Sequence, residues 1–166
     1  MPNKHTFTII PIRKLLNRYV INGENWIDPF AGDSKIAGIT NDLNPDKPTM
    51  FHLHAKDFAA QLTGKYDGVL FDPPYSLTQV KECYNNIGLS LFQEDAKFFP
   101  ANVKHELSSK IKLGGYAICF GWNSQGFGKT NGFKIIEILL VNHGKGHNDT
   151  IVTVEQKYRE TLFENL

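Results

Sequence analysis

Short apolar strands alternate with helical segments along most of the chain, and this alternation limits the folds that it can adopt. A helix is predicted over 11–20, where Pro11 suits a first turn and the next apolar residues share one face. Strands are predicted at 25–28, 36–40, 49–54, 66–71, 116–122, 133–141 and 149–157, and further helices at 57–62, 77–88 and 100–112. A glycine-rich connection typical of an antiparallel hairpin joins the last two strands. The order predicts an α/β fold with a mostly parallel seven-stranded sheet and an antiparallel terminal hairpin.

Two connections between predicted parallel strands are too short for the helix that such a crossover ordinarily contains. Seven residues separate Asp28 from Ile36, and eight, two of them proline, separate Thr40 from Thr49. A parallel crossover usually needs about a dozen residues or more. We therefore expect two crossover helices to be missing, which leaves helix 11–20 as the only evident cover of one sheet face. Because exposed apolar sheet surface is unfavourable, we expect a second copy of the chain to pack there as a homodimer.

Composition indicates one soluble domain over residues 1–166. The hydrophobic content is 41% and the charged content 21%, with a net charge of +1. A nucleic acid would therefore have to bind a local basic patch. Cys83 and Cys119 are isolated thiols, no apolar run reaches the length of a membrane span, and the first residues lack the apolar region of a secretory signal. We expect a cytoplasmic protein.

The predicted strand 66–71 runs directly into Asp72, Pro73, Pro74 and Tyr75. A rigid turn at the end of a strand is one interpretation of this tetrapeptide. Four further segments surround it: WIDPFAGDS at 26–34, TNDLNP at 40–45, AKDF at 55–58 and LGGYAICFGWNS at 113–124. In this order, the five segments resemble the motifs of S-adenosylmethionine-dependent amino-methyltransferases, which methylate the exocyclic nitrogen of adenine or cytosine.

The D-P-P-Y form resembles the adenine-N6 group of that family, and the segments NDLNP, DPPYS, FGWNS and HND look like those of small phage-encoded adenine methylases. The resemblance implies a Rossmann-like class I methyltransferase fold and S-adenosylmethionine as cofactor. It also implies DNA as partner, with the adenine base flipped out of the double helix into the site. The chain has no room for a separate target-recognition domain. Cytosine N4, an RNA base or a protein side chain remain alternative acceptors, and a non-catalytic DNA-binding relative is another alternative.

The tetrapeptide suits the chemistry that the resemblance implies. The amine of a base is a poor nucleophile because its lone pair is delocalised into the ring. Two acceptors aimed at its hydrogens, the Asp72 carboxylate and the Pro73 carbonyl, would make the lone pair available and stabilise the developing positive charge. Pro73 and Pro74 restrict the loop and have no N–H that could compete for these acceptors. Tyr75 offers a flat face on which a base can stack.

The resemblance also assigns the cofactor residues. Asp28, at the end of the first strand, would lie near the ammonium group, and Asp42 would bind the ribose hydroxyls. Gly32 would let the backbone approach the cofactor closely, although Ser34 stands where the family has a second glycine. The remaining candidates are Pro29, Phe30 and Ala31 in the first loop, Asp57 and Phe58 around the adenine, and Ile10 and Pro11 at the start of the first helix. Asp57 could instead cap a helix, and Phe30 could pack in the core.

The loop that leaves the predicted strand 116–122 is the candidate substrate surface. Trp122 could stack on a base or pack against the protein, and Asn123 and Lys129 follow it. His147 lies at the predicted hairpin tip, which could also be a solvated turn. No His or Cys spacing in the chain is diagnostic of a metal site, so no metal is expected.

Overall fold

The computed structural model describes residues 6–86, 88, 93–144 and 148–160. The strands are β1 (Trp26–Asp28), β2 (Ile39–Thr40), β3 (Tyr66–Phe71), β4 (Ile111–Gly121), β5 (Phe133–Val141) and β6 (Thr150–Lys157). The α-helices are α1 (Ile10–Tyr19), α2 (Ala55–Gln61), α3 (Leu77–Asn86) and α4 (Gln93–Lys110). Short 3-10 turns occur at Thr6–Thr8, Gly23–Asn25 and Lys129–Asn131. None of the described helices is long and apolar enough to cross a membrane.

The strands form one sheet in the order β2-β1-β3-β4-β6-β5. Strands β2, β1, β3 and β4 are parallel, and β6 is antiparallel to both of its neighbours, β4 and β5. This confirms the mostly parallel α/β sheet with an antiparallel terminal hairpin. Strand β6 inserts between β4 and β5, so both of its edges are hydrogen-bonded. Most of its side chains are buried, on both faces of the sheet.

The described residues form six strands, and the prediction of a seventh at 49–54 is wrong. Only an isolated parallel bridge pairs Asn41 with Phe51. The buried Asn41 side chain takes the place of further pairing: its Nδ2 donates to the carbonyls of Pro29 and Leu53 at 3.1 and 3.0 Å, and its Oδ1 accepts from Leu53 N at 2.9 Å. One amide side chain thus satisfies backbone groups that a strand ladder would otherwise satisfy.

The predicted junction between the second long helix and the fifth strand is also displaced. The helix predicted at 100–112 is α4, which begins at Gln93, continues through Pro100 and ends at Lys110. Strand β4 follows at once, and Ile111 already pairs with Tyr66. The strand then bulges before it resumes pairing, because three exposed residues containing Gly114 at φ 81° interrupt the ladder.

Two apolar layers cover the sheet. Helices α2 and α4 pack on one face, where Phe58, Val103 and Leu107 are fully buried. Helix α1 packs on the other face through Ile12, Leu15 and Leu16. The two layers hold the carboxyl ends of β1, β2 and β3 in fixed positions relative to each other.

The two predicted crossover helices are absent from the described segments 29–38 and 41–54, as expected. On the α1 face, Ile36 and Ala37 of the first segment pack into the apolar layer in place of a helix. Among the described residues, the densest group of exposed large apolar side chains lies on β5: Ile135, Ile136, Ile138 and Leu140. A homodimer formed through the helix-poor face stays a prediction.

Candidate active site

Three acidic side chains meet at one edge of the sheet. Asp28 is the last residue of β1, Asp72 directly follows β3, and Asp42 follows β2 by two residues. Because β1 lies between β2 and β3 and the three strands are parallel, their carboxyl ends open into the same crevice. Burial raises the pKa of Asp28, and the charges of Asp72 and Asp42 raise it further, as expected for acids that lie near one another.

Asp72 lies in a nearly closed environment, with 5% of its surface exposed. Its Oδ1 accepts a hydrogen bond from the Tyr75 hydroxyl, and its carboxylate also accepts one from the side chain of the buried Thr6. Burial raises the pKa of Asp72 to about 7, although the two hydroxyl donors lower it. The group can therefore be a neutral acid or a carboxylate near pH 7, and two hydroxyls favour the carboxylate.

The turn that carries Asp72 is fixed at both ends. Pro73 is buried, and the helix α3 begins at Leu77, shortly after the tetrapeptide. The Ser76 hydroxyl accepts from Gln79 N at 3.2 Å, and Gln79 Oε1 accepts from Tyr75 N at 2.7 Å. This reciprocal pair resembles a capping box, and the sequence S-L-T-Q is its signal. It fixes the backbone at Tyr75, and the hydrogen bond from the Tyr75 hydroxyl to Asp72 orients the ring.

Asp28 is fully buried, and its two carboxylate oxygens differ in their partners. Oδ1 accepts from Phe30 N at 3.0 Å, whereas Oδ2 has no hydrogen-bond partner among the described residues. Burial raises the pKa of Asp28 well above its ordinary value. A buried carboxylate oxygen without a donor is energetically costly. The crevice therefore contains a position that suits a cationic or N–H donor group.

Asp42 is held by the backbone of two loops. Its Oδ2 accepts from Gly32 N at 3.0 Å, and its Oδ1 accepts from Asn44 N at 2.9 Å. Gly32 has a φ of 54°, in the left-handed region that favours glycine. The carboxylate thus joins the loop after β1 to the loop after β2, and each oxygen keeps a lone pair for a further donor.

Helix α3 lies beside this part of the crevice. The Tyr84 ring packs edge-on against His54, with 6.1 Å between the ring centroids. Cys83, one residue earlier, is half-buried, and burial together with the charge of Asp42 raises the pKa of its thiol. A ligand that binds at Asp42 is therefore expected to change the reactivity of this thiol.

The structure does not bring every predicted cofactor residue to the crevice. Phe58 is fully buried in the core, where its ring packs 5.5 Å from that of Phe51. Asp57 is exposed in the first turn of α2 and is not its N-cap, since that position is His54. The first-loop residues Pro29 and Ala31 are buried, Phe30 packs edge-on against Phe71 at 5.3 Å, and Ile10 and Pro11 are exposed at the start of α1.

The predicted substrate residues lie on the other side of Tyr75. The Trp122 ring is 42% exposed and makes an edge-on contact with Tyr75, with 5.6 Å between the centroids. Asn123 is exposed and accepts from Gln125 N at 2.9 Å through its Oδ1, and Lys129 is exposed on the same loop. His147 lies outside the described residues.

Four side chains near the site were not among the predicted residues. Thr6 donates to Asp72, and Asn41 ties the loop after β1 to the segment before α2. Glu155 and Lys104 bind the backbone of the loop that follows Trp122. Neither Thr6 nor Lys104 has a local sequence signal. The signal for Glu155 is its place in an apolar strand, where a charged side chain needs partners.

No protein-family model and no curated protein matches the chain, but many solved structures share its fold. TrmN from Thermus thermophilus superposes with a TM-score of 0.59 at 16% identity, over 87% of this chain and 47% of that one. An rRNA methylase from Streptococcus thermophilus gives a TM-score of 0.56 at 8% identity, over 90% and 97% of the two chains. The fold is that of a class I methyltransferase.

A third similar structure of this fold is a Burkholderia thailandensis 1,6-didemethyltoxoflavin-N1-methyltransferase with bound S-adenosylhomocysteine. It superposes with a TM-score of 0.52 at 10% identity, over 95% of this chain and 87% of that one. The chain thus spans about half the length of TrmN and most of the length of the other two proteins. The low identities mean that the likeness concerns the class I methyltransferase fold.

Proposed function

We propose that this protein transfers a methyl group from S-adenosylmethionine to the exocyclic N6 amine of adenine in DNA. The observation that carries the proposal is the position of Asp72. It is a buried carboxylate at the carboxyl end of a central parallel strand, followed by two prolines and an aromatic ring, and beside two further acids. Such an edge is where ligands bind in open α/β sheets.

The residues of the crevice fit the cofactor. The unpartnered Oδ2 of Asp28 would accept from the cofactor's ammonium group, which would also compensate the buried charge. Asp42, oriented by the two backbone N–H groups that bind it, would accept from the ribose hydroxyls. When bound, the cofactor supplies an electrophilic methyl group on a sulfonium. These assignments use hydrogen-bonding groups that the chain already holds in the crevice.

Asp72 and the Pro73 carbonyl would bind the two hydrogens of the acceptor amine. Their attraction for the amine grows as its nitrogen gains positive charge, so they stabilise the transition state more than the bound substrate. After a carbon–nitrogen bond has formed and the carbon–sulfur bond has broken, the nitrogen carries one proton too many. Asp72, whose pKa is about 7, can accept that proton and release it to solvent.

The nature of the acceptor is supported by the tetrapeptide, which resembles the adenine-N6 group. A base in RNA is the second candidate, because an rRNA methylase is among the proteins that share the fold. Both acceptors present an exocyclic amine on a flat ring, so Asp72 and Tyr75 would have the same roles with either one. Product mapping on nucleosides distinguishes them.

The test begins with binding of S-adenosylhomocysteine by calorimetry to the wild-type chain and to Asp42→Ala. We expect micromolar binding that is lost in Asp42→Ala and kept in Asp46→Ala, which removes an exposed acid from the same loop. Absence of binding to the wild-type chain, with or without DNA present, contradicts the proposed cofactor.

The second step measures methyl transfer to DNA and RNA and identifies the product nucleoside. Asp72→Ala should abolish the transfer and still bind S-adenosylhomocysteine. N6-methyladenosine in RNA or N4-methylcytosine as the product would reassign the acceptor. Turnover that persists in Asp72→Ala would refute the proposed role of that carboxylate.

A further inference from the structure

The loop that carries Trp122 is held from both sides by oppositely charged side chains. Glu155 on β6 is 1% exposed, and its carboxylate accepts hydrogen bonds from the backbone N–H groups of Phe127 and Gly128, the latter at 3.0 Å. Lys104 on α4 donates from its Nζ to the carbonyl oxygens of Gln125 and Gly126, at 2.9 and 3.0 Å. The acid takes the loop's donors and the lysine takes its acceptors.

This loop packs against Phe71, the last residue of β3, which Asp72 directly follows. The Phe127 ring lies edge-on to Phe71, with 5.6 Å between centroids, and packs 5.1 Å from Phe133. Lys104 Nζ also lies 5.3 Å from the centroid of the Phe71 ring. Phe71 is the residue immediately before Asp72. Phe127 of the loop and Lys104, which holds the loop, therefore both contact the residue next to Asp72.

The close approach of Glu155 to the loop leaves no room for a side chain at Gly126. A Cβ atom there would lie 1.9 Å from Glu155 Oε2. A contact this short forces either the loop or the carboxylate to move. The loop is therefore fitted to the carboxylate at this residue and has little freedom to shift while Glu155 keeps its hydrogen bonds.

A buried carboxylate is costly unless its hydrogen bonds are satisfied, and the hydrogen bonds that satisfy Glu155 come from this loop. Together with the half-buried Lys104, Glu155 fixes the position of the loop. What the loop presents is Trp122, whose ring is partly exposed and lies edge-on to Tyr75. Two aromatic rings at this angle form a corner, and a flat heteroaromatic ring can stack on one while it contacts the edge of the other.

We propose that Glu155 and Lys104 are positioning residues, which hold the loop 122–132 so that Trp122 and Tyr75 form an aromatic corner for a nucleobase. This proposal rests on the proposed function for the identity of the ligand. The loop is a fixed wall of the site, and the affinity for the acceptor depends on hydrogen bonds made behind it. Neither Glu155 nor Lys104 contacts the acceptor.

Tryptophan fluorescence tests the loop position without any substrate. The chain has two tryptophans, and Trp26 is 2% exposed, so acrylamide quenching reports mainly on Trp122. We expect the quenching constant to rise in Glu155→Gln, Lys104→Met and Gly126→Ala. Lys104→Met keeps the apolar stem over Phe71, and Gly126→Ala keeps both charges but displaces the loop. Trp122→Phe assigns the signal.

Glu137→Gln is the matched control. Glu137 is a carboxylate on the neighbouring strand β5 that binds Arg18 and Tyr19 of α1, on the face of the sheet opposite the loop. We expect this variant to leave Trp122 quenching unchanged. The double variant Glu155→Gln/Lys104→Met should change quenching by less than the sum of the single changes, because both side chains hold the same loop.

Acceptor affinity is then measured by fluorescence anisotropy of a labelled adenine-containing single-stranded oligonucleotide, with S-adenosylhomocysteine bound. Loss of hydrogen bonds to charged groups should weaken this binding about tenfold in Glu155→Gln and in Lys104→Met. S-adenosylhomocysteine affinity should be unchanged in both variants and oligonucleotide affinity unchanged in Glu137→Gln. Wild-type oligonucleotide affinity in Glu155→Gln, or equal losses of cofactor and oligonucleotide affinity, would overturn the proposal.

These measurements separate the proposal from the proposed function. If the wild-type chain binds the oligonucleotide with this pattern of variant effects but transfers no methyl group, the proposed function fails and the positioning role stands. If methyl transfer occurs and Trp122 quenching is the same in all variants, the positioning role is wrong and the proposed function stands.

Discussion

Replacement of Asp72 by asparagine should stabilise the folded protein at pH 8 and have little effect at pH 4.5. The wild-type side chain is an acid that is 5% exposed, and burial raises its pKa from 3.8 to about 7. Above pH 7 the folded protein must hold a buried negative charge, whereas asparagine of nearly the same shape holds none. The amide oxygen of the asparagine could still accept the hydrogen bond from the Tyr75 hydroxyl.

The magnitude follows from the two pKa values. The pKa of Asp72 is about 7 in the folded state and 3.8 in the unfolded chain. Between these values the folded state holds more protons than the unfolded chain, so stability falls as the pH rises through this window. At about 1.36 kcal/mol for each pKa unit, the full cost at pH 8 is about 4 kcal/mol. Since the asparagine amide also needs a partner in the pocket, we expect a net gain of about 2–4 kcal/mol at pH 8.

Urea denaturation at pH 4.5, 6, 7 and 8, followed by circular dichroism, measures this difference. The slope of the free energy against urea should be the same for both proteins, so that the midpoints can be compared. Asp67→Asn is the control, because Asp67 lies on β3, the strand that Asp72 follows, and the Lys112 hydrogen bond lowers the pKa of Asp67. It should be slightly destabilising at pH 8, the opposite sign to Asp72→Asn.

Two results would refute the reasoning. If Asp72→Asn is no more stable than the wild type at pH 8, ionisation of Asp72 does not destabilise the folded state. If the gain is the same at pH 4.5 and pH 8, it comes from packing or hydrogen bonding and not from charge. In either case the pKa of Asp72 cannot be near 7, and its proposed part in proton acceptance loses its basis.

Two further predictions concern the neighbours of the acids. Tyr75→Phe keeps the ring but removes a hydrogen bond that lowers the pKa of Asp72, so kcat/KM for the acceptor should rise with pH about one unit later than in the wild type. Equal midpoints in the two proteins would contradict this. Iodoacetamide should alkylate the half-buried Cys83 several-fold more slowly with S-adenosylhomocysteine bound, and the buried Cys119 should stay unreactive, as followed by mass spectrometry. Unchanged alkylation of Cys83 at saturating cofactor would place the cofactor elsewhere than beside Asp42.

The elements with unbroken apolar patterns were predicted closely from the sequence. The bounds of β3 (Tyr66–Phe71) and β5 (Phe133–Val141) agree with the predicted strands to the residue, and α1 begins one residue earlier than predicted. The predicted strand 49–54 failed for a different reason. The Asn41 side chain satisfies the backbone of Leu53, so the segment lies beside the sheet without a ladder. A long-range side-chain contact of this kind has no local pattern.

In the candidate site, too, residues with a local sequence signal were predicted and residues placed by long-range packing were not. The resemblance assigned Asp28 and Asp42 to the cofactor and Asp72 to catalysis, and the strand order brings the ends of the three strands that they follow together. Thr6 could not be placed beside Asp72, since it precedes the first helix and its position depends on packing. The partners of Glu155 could not be assigned either, since they are backbone N–H groups of a loop that packs against β6 from a distant part of the chain.

The short connections explain why polar side chains hold this site. A crossover helix after β1 would normally fix the loop above the first strand, and here that loop is held by Asn41 and by Asp42 through Gly32. The Asp42 carboxylate therefore has a structural hydrogen bond and is also the group proposed to bind the cofactor ribose. It lies next to the buried Asp28 and Asp72. Burial makes the ionised form of Asp28 costly, and the charges of Asp72 and Asp42 add to that cost. A ligand that brings an ammonium and a sulfonium into the crevice would lower that cost, so part of its binding free energy would come from the acids themselves. The buried Asp28 and Asp72, whose ionised forms are costly in the folded protein, thus favour a cationic cofactor.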